Sequence, residues 1–406
     1  MRNFFLTVIF IFFIINGMPA QMAVSGILDS TVTMGAGAFD TPDFTKGFEQ
    51  FANLRFQSRL REGGTVFGSV NLIAASGSFA EAAQQTAEFS PAPPGINSTA
   101  YFHGQNFIAA IELERLHVRL RGEHVDFDGG LMRLPFGYGQ IWGSSDFLNP
   151  RNPLKPDARP RGILGTTLTW YPIEELKLLG FYAAPRNALS FEGKGSLFGL
   201  SADRHWDKAS LQALYSFETP DNGSEFGIHR AGLSIKADIE IGVVMEALYT
   251  YNHEARTAFD GLSFSIGADY SFFSGNLIVL AEYLYNGENS STSRNSGGDF
   301  ANNHYLYTGF TYSFNDFTNM SAGLISGLSD ISFTPMITFN HNLFQGVVLT
   351  ISAQVPLDGD LFTGNGKRGE FGPLPPDHLQ PFSAPELGGR RFGSYFNCSI
   401  RLRIRF

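Results

Sequence analysis

Residues 129–162, GGLMRLPFGYGQIWGSSDFLNPRNPLKPDARPRG, hold the densest set of groups able to handle a polar or charged molecule. Asp146, Asn149, Arg151, Lys155, Asp157, Arg159 and Arg161 place both signs of charge in one short segment. They are suited to line or brace a polar passage. Pro135, Pro150, Pro153, Pro156 and Pro160 exclude regular helix or strand through most of it. A freely solvated loop has no need of Phe136, Tyr138, Ile141, Trp142, Phe147 and Leu148, so the segment is expected to pack against another surface.

Other chemistries find less support. The nine histidines form no H-E-x-x-H pair, and the single cysteine, Cys398, rules out an intramolecular disulfide or a cysteine metal cluster. No metal site and no cofactor are expected. Gly35-Ala36-Gly37 and Gly137-Tyr138-Gly139 lack the following helix that phosphate binding requires and read as strand and turn glycines. His124, Asp126 and Asp128 could assemble an acid–base set across strands, but they fit a polar wall better; the chain is not expected to be an enzyme. A net charge of -9 argues against a nucleic-acid partner.

The elements that must position these residues follow from a period of two. From Phe392 to Phe406 uncharged residues (Phe392, Ser394, Phe396, Cys398, Ile400, Leu402, Ile404, Phe406) alternate with a row containing Arg401, Arg403 and Arg405. Such a strand has one apolar and one polar face. Seventeen further segments alternate near 22–34, 49–61, 65–75, 105–120, 124–134, 162–171, 174–184, 195–205, 208–218, 225–237, 240–252, 261–273, 275–286, 303–314, 318–327, 331–340 and 344–354. One row of each avoids charge: Ala52 to Leu60 lies opposite Arg55 and Arg59, Ile241 to Tyr251 opposite Glu246, and Leu262 to Phe272 opposite Asp269. An Arg or Lys facing lipid at the bilayer midplane costs about 2–4 kcal/mol, so the charge-free rows are read as lipid-facing. Charged residues make up 17% of the chain, well below the roughly 25% typical of soluble proteins. The apolar row of 105–120 switches parity near Glu114-Arg115, which a bulge or an early turn would explain.

Connections alternate short and long. Tight turns are placed at Arg61–Gly64, Arg121–Glu123, Pro172-Ile173, Trp206-Asp207, Asp238-Ile239, Ser274, Asn315–Phe317 and His341–Leu343; 76–104, 135–161, 287–302 and 355–390 are long. The expectation is an all-β, antiparallel, up-and-down transmembrane barrel of about 18 strands, 16 to 18 by this reading, with short periplasmic turns and long extracellular loops. Arg2 and the apolar run Phe4–Ile15 mark 1–20 as a signal peptide, leaving 21–406 as the barrel. Within it, 135–161 is expected either to fold inward as a constriction or to pack on neighbouring loops at the rim.

The 129–162 segment resembles one in bacterial outer-membrane porin-like barrels, where a strand ending in Gly-Arg-Gln leads to Trp-Gly and then Asp-x-x-Asn-Pro. This chain has Gly130, then Phe136-Gly137 in place of Trp-Gly, then Asp146-Phe147-Leu148-Asn149-Pro150. It departs at Leu131-Met132, where the family has Arg-Gln. Ile400, Leu402, Ile404 and Phe406 resemble the C-terminal signal read by the barrel assembly machinery. The resemblance implies an integral outer-membrane channel for passive or facilitated diffusion of small solutes, with outer-membrane lipid, the assembly machinery and the solutes as partners. Homo-oligomers are compatible with it, although no row of residues marks a subunit contact. The rival readings are a transporter for hydrophobic substrates, a surface adhesin or structural barrel, and a barrel hydrolase. On the lumen wall, Arg55, Arg59, Arg401, Arg403 and Arg405 are expected to form a positive side faced by Glu246, Asp269 and Glu282.

Overall fold

A computed structural model describes residues 22–37, 44–60, 63–77, 99–104, 106–149, 162–184, 195–220, 226–251, 261–287, 303–328, 332–355, 357 and 395–406. The expected signal peptide lies outside them. Eighteen antiparallel strands close into one wall, each paired with its neighbours along the chain: β1 (Met22–Gly37), β2 (Phe44–Arg59), β3 (Gly64–Gly77), β5 (Phe107–Arg121), β6 (Val125–Met132), β7 (Ile163–Ile173), β8 (Leu176–Ala183), β9 (Leu197–Trp206), β10 (Ala209–Glu218), β11 (Ile228–Asp238), β12 (Gly242–Tyr251), β13 (Leu262–Phe272), β14 (Leu277–Asn286), β15 (His304–Asn315), β16 (Thr318–Gly327), β17 (Ser332–Phe344), β18 (Val347–Gln354) and β19 (Tyr395–Arg405). β19 returns to pair with β1, from Ile27 opposite Arg405 to Gly37 opposite Tyr395, so the eighteen-strand wall closes on itself. A wall of this strand number is wide enough to enclose an aqueous interior.

A nineteenth strand, β4 (Thr99–His103), was not anticipated in the 76–104 connection. It pairs with Ile108–Glu112 of β5, beyond the stretch Leu116–Arg121 that pairs with β6. The reason is local. β6 stops at Met132 and the chain leaves the wall at Arg133, so the upper part of β5 would otherwise present unpaired amides.

The parity switch in β5 is a bulge. Ser69 faces Arg115 and Val70 faces Leu113, leaving Glu114 as the extra residue. It lets Leu113 and Leu116 both stay on the outer row while Glu112, Glu114 and Arg115 all face inward. Two turns fall two or more residues later than expected. The β7–β8 turn is Glu174-Glu175, and Pro172 sits where the pairing is irregular between Trp170 and Ile173, a place where no ladder donor is required. The β17–β18 turn is Gln345-Gly346, because Gly346 takes the positive φ of 79° that reverses the chain.

The eight short turns lie at one end, and both described termini join them there: Gly26 N donates to Phe406 O at 2.7 Å and Phe406 N to Gly26 O at 3.1 Å. The outer rows are apolar and exposed, among them Met245, Tyr249, Ile266, Ile337 and Ile400. Trp206, Phe273, Phe317, Phe344 and Phe406 form an exposed aromatic belt at the short-turn end. Ile266 lies near the middle of β13, where lipid depth is greatest. Ile266→Arg is expected to destabilise the barrel by about 2–4 kcal/mol, read from denaturant unfolding in lipid vesicles, whereas the same change at exposed Phe273 costs about 1 kcal/mol or less. Equal costs at the two positions would contradict a lipid-facing row.

Candidate functional site

After Met132 the chain turns off the wall and residues 133–149 run across the barrel interior. Two wall glutamates hold them there. Glu246 of β12 accepts the backbone N–H groups of Tyr138, Gly139 and Ser145, the last at 3.1 Å. Glu282 of β14 accepts those of Gln140 (3.1 Å), Ile141 (2.9 Å) and Trp142 (3.1 Å), and its carbonyl accepts Trp142 Nε1 at 3.0 Å. Each carboxylate thus occupies a nest of converging amides, an arrangement that elsewhere binds free anions. Gln212 of β10 takes Gly137 N at 2.6 Å, Ser234 of β11 bonds Ser145 Oγ at 3.0 Å, and Asp269 of β13 takes Gln140 Nε2 at 2.8 Å. Gly137 has a φ of 78°, and a Cβ there would overlap the Glu246 carboxylate, so both its conformation and its contact require glycine.

Apolar anchoring reinforces these bonds. Leu134, Phe136 and Phe147 pack on Leu179, Phe181, Ala183, Leu197, Leu214 and Leu248 of the inner wall. Phe136 stacks on Phe147 with centroids 5.9 Å apart and meets Phe181 at 5.0 Å; the Arg230 guanidinium lies 5.1 Å from the Phe147 ring. Further along, Trp142 enters a second cluster with Leu284, Tyr305 and Ile325. A buried side chain of this size contributes about 1.5–3 kcal/mol, so the two clusters add to the hold of the hydrogen bonds. Burial also pushes the Tyr138 phenol up to about 12, with Asp203 adding to the effect, so this group stays neutral.

The expected site residues divide into three groups. Asp146 and Asn149 are 1% exposed and brace the loop from within. Asp146 accepts Phe136 N and Asn149 N at 3.4 and 3.3 Å, Arg133 approaches it at 4.0 Å, and Asn149 accepts Leu134 N at 2.8 Å. Arg151, Lys155, Asp157, Arg159 and Arg161 lie outside the described residues. The third group is on the wall. Glu246 and Glu282 serve as loop anchors and Asp269 as a weaker one. Arg55 donates to Asn53 at 2.7 Å within a network that links Asn53, Asn71, Ser69, Glu112 and Glu114, and Arg59 is exposed near the short-turn end. Arg401, Arg403 and Arg405 share the inward row, and Arg403 forms a two-pronged pair with Asp29 of β1 at 2.7 and 2.8 Å. The proposed positive side is therefore partly neutralised in place. Ile400, Leu402, Ile404 and Phe406 share the outer row.

Pairing of opposite charges recurs around the interior. Arg119 binds Asp128 at 2.6 Å, Arg121 binds Asp126, Lys177 binds Asp203 at 3.2 Å and Arg230 binds Glu218 at 2.8 Å. Tyr171 adds a bond to Asp126 at 3.1 Å, while the His124 side chain is 70% exposed beside Glu123. His124, Asp126 and Asp128 therefore do not converge into an acid–base set. The seats of the loop were missed in the sequence, yet a signal exists. Leu179, Phe181, Leu214, Leu248 and Ile325 are apolar residues on inward rows, where an open interior would favour polar ones.

Against known proteins, neither a family model nor a curated protein matches the sequence. Solved structures do match. OccAB1 of Acinetobacter baumannii is 12% identical with a TM-score of 0.53, over 96% of this chain and 98% of that one. The outer membrane protein opdK of Pseudomonas aeruginosa is 10% identical with a TM-score of 0.53, over 95% and 98%. OccK8 (OprE) of Pseudomonas aeruginosa is 11% identical with a TM-score of 0.54, over 95% and 98%. This chain has their fold. The likeness extends over nearly the whole of each chain, so it concerns the barrel wall as a whole and not one part of it.

Proposed function

We propose that the protein is an integral outer-membrane channel through which small solutes diffuse passively, with the inward loop as its constriction. The observation that carries the reading is the seating of residues 137–145 on Glu246 and Glu282: a barrel wide enough for water has its interior crossed by a loop anchored on several strands. A structural barrel or adhesin has no need of a braced loop inside. The pairing of the trio His124, Asp126 and Asp128 elsewhere supports a channel over a hydrolase. Exposure of Phe406 on the outer row fits recognition by the barrel assembly machinery, and the short-turn end is assigned to the periplasm.

Refolded protein in a planar bilayer is expected to conduct ions. Deleting 141–158 should raise the single-channel conductance. Unchanged conductance in a folded deletion barrel would rule out the constriction, and absence of conductance in folded wild-type protein would rule out the channel.

A further inference from the structure

Four successive strands, β15 to β18, contain no Asp, Glu, Lys or Arg. The polar members of their inward rows are hydroxyls, amides and tyrosine, with Ile325 and Met336 as apolar members beside the loop tip. Thr311 bonds Ser321 at 2.9 Å, Asn340 donates to Asn319 at 3.0 Å, and Thr350 donates to Asn340 at 2.7 Å. These bonds run from strand to strand; Thr311, Asn319, Ser321 and Asn340 are half-buried, while Thr350 is buried and braces Asn340 from behind. A hydroxyl offers one donor and two acceptor positions and an amide two of each, so one bond within the wall leaves others for a passing solute.

Above this ladder lies Tyr307, whose ring tip rests against the wall over Gly309 and Gly323; a Cβ at either glycine would collide with the phenol oxygen. Half-exposed, it borders the cluster of Trp142, Tyr305 and Ile325 together with Ile141 and Met336. The loop tip and the uncharged wall therefore meet at an aromatic surface, with hydroxyls and amides continuing from it toward the short-turn end.

We infer that this face is a track for neutral, polyhydroxylated solutes of the saccharide class; the inference rests on the channel reading above. An ion passing it meets no charged side chain on the four strands themselves, the flanking ones being Glu282, opposite Tyr307 and held by the loop amides, and Arg401, opposite Thr350; a saccharide instead replaces its water hydrogen bonds one by one and lays its apolar C–H face on Tyr307. The charges elsewhere on the wall do not offset this preference where they are matched, as in Arg403–Asp29, Arg119–Asp128 and Lys177–Asp203.

The test uses full-length refolded protein in liposomes and planar bilayers. Influx of a neutral disaccharide is compared with that of a polyethylene glycol of equal hydrodynamic size and of a singly charged sugar acid and amino sugar. The disaccharide is expected to cross several-fold faster than the glycol, to saturate, and to block ion current reversibly. Tyr307→Ala should weaken that block roughly tenfold or less. Because Tyr307 also packs on the Trp142 cluster, Thr311→Val with Ser321→Ala is made in parallel, and it too should lower the disaccharide preference. Intact ion conductance with equal passage of disaccharide and glycol, or faster passage of either charged sugar, overturns the inference alone. A folded barrel that conducts no ions overturns both this inference and the channel.

Discussion

Replacing Glu246 and Glu282 together with alanine is expected to free the loop from the wall and bring conductance toward that of the 141–158 deletion. The argument is one of stranded donors. Six backbone N–H groups end on these two carboxylates, three on each. A hydrogen bond to a charged acceptor contributes about 1.5–3 kcal/mol, and an amide left unsatisfied in a buried place costs about 1–3 kcal/mol. Losing both anchors therefore exceeds what the aromatic clusters can hold alone. Glu246→Gln with Glu282→Gln keeps one acceptor oxygen at each site and should give an intermediate conductance with more frequent fluctuation. Single-channel recording distinguishes the three proteins. Equal conductance in all three, with folding verified by heat-modifiable mobility, would show that the carboxylates do not position the loop.

The second large effect lies at the joint where the barrel closes. Asp29 is 1% exposed and its carboxylate is held by both prongs of Arg403, across the β1–β19 seam. Removing one member of such a pair leaves a buried charge uncompensated, which costs about 3–5 kcal/mol. Arg403→Leu should therefore lower the denaturant midpoint in detergent or lipid substantially. Asp29→Leu combined with Arg403→Leu should recover most of the loss, because two apolar side chains of similar volume need no countercharge. If the double variant is as unstable as the single one, the pair does not set the strength of the seam.

Much of the wall could be read from the chain because the physics there is local. Charge on a lipid-facing row is costly, so every strand must keep one row clear, and a period of two reveals which row it is. The order of short and long connections likewise fixed where the ends of the chain lie. Even the Glu114 bulge announced itself, as a change in the parity of apolar residues.

The loop was a harder case. Its prolines and aromatics showed that it packs on something, but its residues name no partner. Asp146 and Asn149 look like lining residues by type, and their bonds turn out to run within the loop. Glu246 and Glu282 stand 101 to 142 positions along the chain from the amides they accept. They reach those amides only because successive hairpins curl the wall around and because both lie on inward rows in register across β13, Glu246 opposite Ser265 and Glu282 opposite Gly267. Alternation by itself determined that this chain forms a wall with an apolar outside and a polar inside. Which wall carries charge, which carries hydroxyls and which seats the loop was decided by closure, since contacts between distant inward rows exist only once the barrel has formed.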